Sequence, residues 1–247
     1  MKERRIVYGL HAVTAALKRR PAAVFEIHLD ARRADPRARA VADLARAVNV
    51  PIRESDSQRL DSLAAGGRHQ GVAAFVEPAT LASSVHEVLD QLAEPALLLV
   101  LDGVQDPHNL GACLRVADAF GAHAIIAPKD RAAGLNATAS KVASGAAETV
   151  PFIAVTNLAR TLRELQEQRI WVVGTGEAEG RSLLEVGMTG PLAVVLGAEG
   201  EGLRRLTREI CDEMISIPML GQVESLNVSV AAGICLYEAR RQRRLSR

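Results

Sequence analysis

Aromatic side chains are scarce in this chain: one Trp, two Tyr and four Phe among 247 residues. So few rings argue against the rows of stacking platforms that hold single-stranded nucleic acids. Any nucleic acid would have to be gripped through phosphates and shape. Cysteine is equally sparse. Cys113, Cys211 and Cys235 are odd in number, widely spaced and set among apolar residues. That excludes a disulfide framework and reads as free thiols in a reducing, cytoplasmic setting. No Cys-x-x-Cys occurs and the six histidines stand singly, so a metal-free site is expected. No run approaches the roughly 18 apolar residues of a membrane span, and the charges of Met1-Lys-Glu-Arg-Arg5 have no long apolar stretch behind them. Neither a membrane partner nor a secretory signal is expected. Absent too are the Gly-Lys-Ser/Thr of a phosphate-binding P-loop and the dinucleotide fingerprint, so a generic nucleotide-dependent dehydrogenase is disfavoured.

What is present is an apolar majority with an uneven charge. Hydrophobic residues make up 48% of the chain, enough for one large core or for a moderate core plus a small domain. The net charge of +1 hides an asymmetry: residues 1–76 carry 14 Lys/Arg against 8 Asp/Glu, and residues 77–247 carry 16 against 21. A basic module on a slightly acidic larger one suggests that the front part meets an anionic polymer. Its pattern predicts helices over 9–20, 35–48 and 55–65 with strands at 25–30 and 72–76. Residues 77–94 read as a linker with a leading helix. From 95 to 247, apolar runs near 96–101, 123–127, 151–155, 170–175, 191–197 and 213–217 alternate with helical segments, which predicts an α/β domain on a mostly parallel sheet.

Three segments carry the chemistry. In the first, the apolar run from Pro95 to Leu101 reads as a buried strand, Asp102 to Pro107 reads as a loop, and Asn109 is placed to cap the following helix. Asn109 and Arg115, six residues apart, could border one pocket at the carboxyl end of that strand, where open α/β sheets bind ligands. The second, Pro191-Leu-Ala-Val-Val-Leu-Gly-Ala-Glu-Gly-Glu-Gly-Leu203, is a strand delivered into Gly197, Gly200 and Gly202, with Glu199 and Glu201 between them; such glycines let backbone amides approach a ligand. In the third, Pro218 ends the strand at Ile217, and Ser225 is a plausible N-cap for a helix reaching Arg244. The polar Ser225-x-Asn227 pair opening an otherwise apolar helix suits contacts rather than packing. That helix's wide apolar surface fits a core or a symmetric partner. Arg240, Arg241, Arg243 and Arg244 could touch RNA or keep the terminus soluble.

Together and in this order, Asn109-x-Gly111 with Arg115, Leu196-Gly-Ala-Glu-Gly200, and Ile217-Pro218 with Ser225-Leu-Asn-Val-Ser229 resemble the SpoU (TrmH) family of RNA ribose 2′-O-methyltransferases, over roughly residues 95–245. Tyr8-Gly-Leu-His-Ala-Val13 and Arg68-His-Gln-Gly-Val72 are similar to the branch acting on guanosine in large-subunit rRNA. The resemblance implies an N-terminal domain like RNA-binding ribosomal proteins. It also implies a C-terminal SPOUT domain with a deep trefoil knot, S-adenosylmethionine as methyl donor, and a homodimer with its sites beside the interface. The cofactor would rest on Thr175, Leu196, Gly197, Ile217, Met219 and Leu226. RNA would meet Arg68, His69, Gln70 and Arg115. Asn109, Ser225 and Asn227 would orient the ribose and Arg115, with Glu199 organising the site by pairing with Arg115. Since an unaided guanidinium is a poor base, Arg115 is expected to position phosphate and hydroxyl. The expected substrate is a 23S rRNA guanosine in the peptidyl-transferase P-loop. The alternatives are a tRNA D-loop guanosine or a non-catalytic rRNA-binding assembly factor.

Overall fold

Two apolar runs, β2 (Val24–Asp30) and β4 (Val72–Val76), pair antiparallel at the centre of a four-stranded sheet. β1 (Arg5–Tyr8) joins β4 antiparallel and β3 (Ile52–Ser55) joins β2 in parallel, for an order β1-β4-β2-β3. The structure is a computed structural model; it describes residues 4–30, 35–77, 81–176, 180–223 and 225–246. It divides into two compact units, Met1–Thr80 and Leu81–Arg247.

In the first unit, α1 (Leu10–Arg19) and α2 (Pro36–Ala47) cover one face of the sheet, setting Val13, Leu17 and Val41 against Ile27 and Val72. α3 (Ser57–Leu63) covers the other with Leu60 and Leu63 against Ala73. Local chemistry starts two of these helices. Asp35 accepts from the Arg37 N–H with Pro36 at the first helical position, and Asp56 accepts from the Arg59 N–H. The expected helices and the two central strands are all found. β1 and β3 were not anticipated, because short edge strands have no apolar run to mark them.

The second unit holds seven strands in the order β7-β6-β5-β10-β8-β11-β9, and every described pairing is parallel. They are β5 (Leu97–Asp102), β6 (Ala124–Pro128), β7 (Phe152–Val155), β8 (Trp171–Thr175), β9 (Arg181–Ser182), β10 (Leu192–Gly197) and β11 (Glu213–Ser216). Both faces are covered, which is why the central strands β5, β6 and β10 are continuous apolar runs rather than alternating ones. Leu97, Leu99 and Leu101 of β5 join a core with Leu110 and Leu114 of α5 (Pro107–Ala119) and with Ala232, Cys235 and Leu236 of α9 (Val228–Leu245). Leu98 and Val100 face Val88 of α4 (Val85–Asp90), Leu158, Leu162 and Leu165 of α7 (Leu158–Glu167), and Ile210 of α8 (Arg205–Ile210). Each Leu, Ile or Val side chain buried in this way contributes about 1.5–3 kcal/mol. A further helix, α6 (Ala137–Val142), packs on α5 where Gly111 leaves no room for a Cβ against the Ala139 carbonyl.

Three expectations are corrected here. Asn109 does not cap α5: Asp106 does, accepting from the His108 N–H with Pro107 at the first helical position, and Asn109 lies within the first turn. Nor is Ser225 the cap of α9, a place taken by Asn227, whose Oδ1 accepts from the Ser229 N–H at 2.9 Å. The C-terminal arginines are not a uniform basic tail. Arg243 is buried, and its guanidinium donates to the carbonyls of Pro95, Ala96, Met188 and Gly190. Arg240 donates to the carbonyls of Phe120 and Gly121 and to Glu94. Arg241 pairs with Glu238, and of these four arginines Arg244 alone is exposed without a hydrogen bond or ion pair among the described residues.

Candidate functional site

Parallel strands bring their carboxyl ends to one edge of the sheet, where Gly197 of β10 lies in register with Asp102 of β5 and Thr175 ends the neighbouring β8. From that edge the glycine-rich segment folds into a tight hairpin. Ala198 and Gly202 exchange backbone hydrogen bonds at 3.2 and 2.9 Å, with Gly200 (φ +79°) and Gly202 (φ +65°) in the left-handed region. At Gly197 a Cβ would collide with the backbone of Gly202, so the hairpin closes only on glycine.

The hairpin tip carries Glu199, and one oxygen of its carboxylate collects three donors. The side-chain amide of Asn227 donates to Oε1 at 2.7 Å, that of Asn109 at 3.2 Å, and the backbone N–H of Val228 at 3.4 Å. Asn227 also donates to Oδ1 of Asn109 at 2.9 Å. Residues from the hairpin after β10, from α5 and from the start of α9 are thus tied into one polar triad, with a carboxylate at the positive end of an 18-residue helix. Glu199 is therefore organised by the two asparagines; no ion pair joins it to Arg115 among the described residues. Arg115 is exposed on α5 and makes no hydrogen bond or ion pair among those residues.

Beside the triad opens a cavity of about 190 Å³. Thr175, Leu196, Gly197, Ile217, Met219 and Leu226 all line it, together with Ser225 and Glu199. Asn109, Asn227 and Arg115 do not belong to its lining. Apolar walls thus meet two carboxylates, Glu199 and Glu201, and the guanidinium of Arg208.

Two features escaped the sequence reading. Asp102, 1% exposed, accepts from the backbone N–H of Arg204 at 3.0 Å and from its Nε at 2.6 Å, clamping the exit of the hairpin to the end of β5. Its signal was a carboxylate ending a wholly apolar run, which must find a partner to be buried. Arg208 of the cavity wall gave no signal of its own.

In the first unit, Arg68, His69 and Gln70 lie in the loop before β4. Gln70 accepts from the Leu10 N–H at 3.2 Å, and His69 bridges Asp61 and the Gly71 N–H, so both shape the loop. Arg68 is exposed, as is Tyr8 at 40%, whose ring packs where Gly67 has no side chain.

Among the described residues no helix is long and apolar enough to cross a membrane. Burial pushes the thiols of Cys113, Cys211 and Cys235 up to about 12, with Glu199 adding to the effect at Cys113 and Asp212 and Asp102 at Cys211.

Comparison with known proteins matches residues 96–237 to the SpoU rRNA Methylase family and residues 6–82 to the RNA 2′-O ribose methyltransferase substrate binding domain. The 23S rRNA (guanosine-2′-O-)-methyltransferase RlmB of Ralstonia nicotianae is 57% identical over 243 residues, 98% of each chain. Its counterpart from Nitrosomonas europaea is 56% identical over 98% of this chain and 93% of its own. Among solved structures, the SpoU methyltransferase AviRb of Streptomyces viridochromogenes, in complex with AdoMet, aligns over 99% of this chain and 92% of its own with a TM-score of 0.69 at 28% identity.

Proposed function

The chain belongs to the SpoU rRNA methylase family, and from that premise we propose that it transfers a methyl group from S-adenosylmethionine to the ribose 2′-hydroxyl of a guanosine in large-subunit (23S) ribosomal RNA. The observation that carries the proposal is the cavity at the carboxyl edge of the sheet, lined by Glu199, whose carboxylate the amides of Asn109 and Asn227 hold. Its walls suit that cofactor. Leu196, Ile217 and Leu226 offer apolar surface to a purine, and Glu199 and Glu201 offer negative charge to a sulfonium.

When bound, the cofactor supplies a methyl group already activated by the positive charge on sulfur. What remains for the protein is alignment and removal of a proton. Aligning the hydroxyl oxygen with the methyl carbon can contribute roughly 7–11 kcal/mol, and a positioned base about 10²–10⁴-fold. Asn109 and Asn227, held by Glu199, orient the ribose, with Ser225 at the cavity rim. Arg115 positions the substrate phosphate and hydroxyl, leaving the phosphate to help take the proton. Since Arg115 stands outside the cavity, we place the reaction in a homodimer whose interface runs beside it. In support, α9 leaves Val230 and Tyr237 49% and 56% exposed.

Residues 1–76 serve as the RNA-binding domain through Arg68 and the loop shaped by His69 and Gln70, and residues 95–247 as the catalytic domain, in the cytoplasm. A trefoil knot belongs to the same proposal. In support, the chain passes from β9 to β10 and back to β11, moving from one side of β8 to the other twice. The test uses methyl-labelled S-adenosylmethionine with an unmodified peptidyl-transferase-loop fragment and a tRNA, beside an Arg115→Ala protein. The expected result is label at a ribose of the rRNA fragment, lost in the variant. Label in tRNA alone would overturn the substrate, and an Arg115→Ala protein with normal turnover would remove that residue from the mechanism.

A further inference from the structure

Arg208 plays no part in the steps above, yet its placement is built in. α8 is oriented by its own contacts: Thr207 and Ile210 are buried, Arg205 reaches outward to Glu209 at 2.8 Å, and Arg204 is clamped by Asp102 at the end of β5. The backbone N–H of Arg208 donates to the carbonyl of Arg204 at 2.9 Å. Arg204 is held away at Asp102, whereas Arg208, one turn on, lines the cavity. Arg208 is thereby the only cation among the described residues that line the cavity, where it faces a wall otherwise charged by Glu199 and Glu201.

The charges of S-adenosylmethionine are the inverse of that wall. The molecule carries two cations, the sulfonium and the ammonium, and one carboxylate. Among the described residues the cavity presents two carboxylates and one guanidinium. Resting on the cofactor proposed above, we infer that Arg208 binds the carboxylate of the methionyl group and so sets which end of the cofactor lies against α8. The planar fork of a guanidinium matches a carboxylate with paired N–H donors. The role is one of binding and orientation, since the carboxylate takes no part in methyl transfer.

Titration calorimetry on the full chain separates this inference from the reading it rests on. S-adenosylmethionine and its decarboxylated analogue, which keeps both cations, are each titrated into the unmodified protein, Arg208→Gln and Arg208→Lys. The unmodified protein is expected to prefer the carboxylated form. Arg208→Gln should weaken binding of that form by roughly tenfold or more, the cost of losing a hydrogen bond between charged groups. The same variant should leave the analogue's affinity unchanged, and Arg208→Lys should keep part of the preference. Equal weakening of both ligands would mean a structural role and overturn the inference. Intact cofactor binding with a raised KM for RNA would assign the arginine to a phosphate instead and overturn it as well. An unmodified protein that binds neither compound would remove the cofactor reading, and this inference with it.

Discussion

At Glu199 one carboxylate oxygen holds the amides of Asn109 and Asn227 and the first backbone N–H of α9. Truncation to alanine would leave the side-chain amides of Asn109 and Asn227 to water, because Glu199 and Asn227 are exposed. Stability should therefore change little, while the two amides lose their fixed direction. A displacement of about 1 Å can cost roughly 10²-fold in rate. We expect Glu199→Ala to melt near the unmodified protein but to lose methyl transfer by about that factor, with steady-state kinetics and a thermal melt as the paired measurements. Asn227→Ala should differ by also removing a helix cap, at a cost of about 1 kcal/mol, readable by denaturant titration. The thiols test burial directly. With their pKa values pushed to about 12, only about one thiol in 10⁴ is ionised at pH 8. A disulfide reagent should label Cys113, Cys211 and Cys235 slowly in the folded protein and at once in denaturant; rapid native labelling would contradict the packing. Among single residues, glycines and strand ends were legible because each has a local reason. The Asp102–Arg204 clamp was not, since its partners are 102 positions apart.

Among the elements, the six main strands of the larger sheet could be read in advance because each centres on apolar residues, unbroken in β5, β6 and β10 where both faces are buried. β1, β3 and β9 could not, being held mainly by pairing at an edge. Helix caps misled where two candidates stood close together. Asp106-Pro107 outranks Asn109 because proline at the first helical position fixes the start. For α9 the decisive contacts are arginines that read as solvent-facing. Arg243 neutralises four carbonyls from two distant segments, and burial, then Arg240, hold its pKa below the usual arginine value. Arg243→Met would strand those carbonyls, costing about 2–5 kcal/mol and lowering Tm by on the order of 10 °C in a thermal melt. Nearby, His123 accepts from the Leu97 N–H through Nδ1 and lies 3.2 Å from Glu94. Burial, outweighing Glu94, holds its pKa below 6.5. The unfolded chain thus takes up the proton first, so this contribution is complete above pH 6.5 and is lost as pH falls through the lower folded value. Glu94, whose pKa Arg240 lowers from 4.5, adds a second loss as pH drops below that figure. Tm should fall from pH 8 to pH 5, and less so in His123→Gln.

For the whole molecule, the uneven charge gives the sharper expectation. A phosphate contact from Arg68, exposed in its loop, should make RNA binding depend on salt. Arg68→Ala is expected to weaken binding at low salt and to reduce the slope of log Kd against log salt by about one; filter binding at several salt concentrations decides it. Sedimentation equilibrium should find twice 26.4 kDa for the proposed homodimer. One consequence concerns how the chain is made. The guanidinium of Arg243 closes on Ala96, a residue translated 147 positions earlier. At about 5–20 residues per second, some 7–30 s pass between the emergence of the two. For that interval the first strand of the larger sheet has neither its final helix nor the donor for its entering carbonyls. The basic unit is complete in sequence long before, so the half proposed to grip RNA is ready on the ribosome while the half proposed to modify it is still waiting for its last turns.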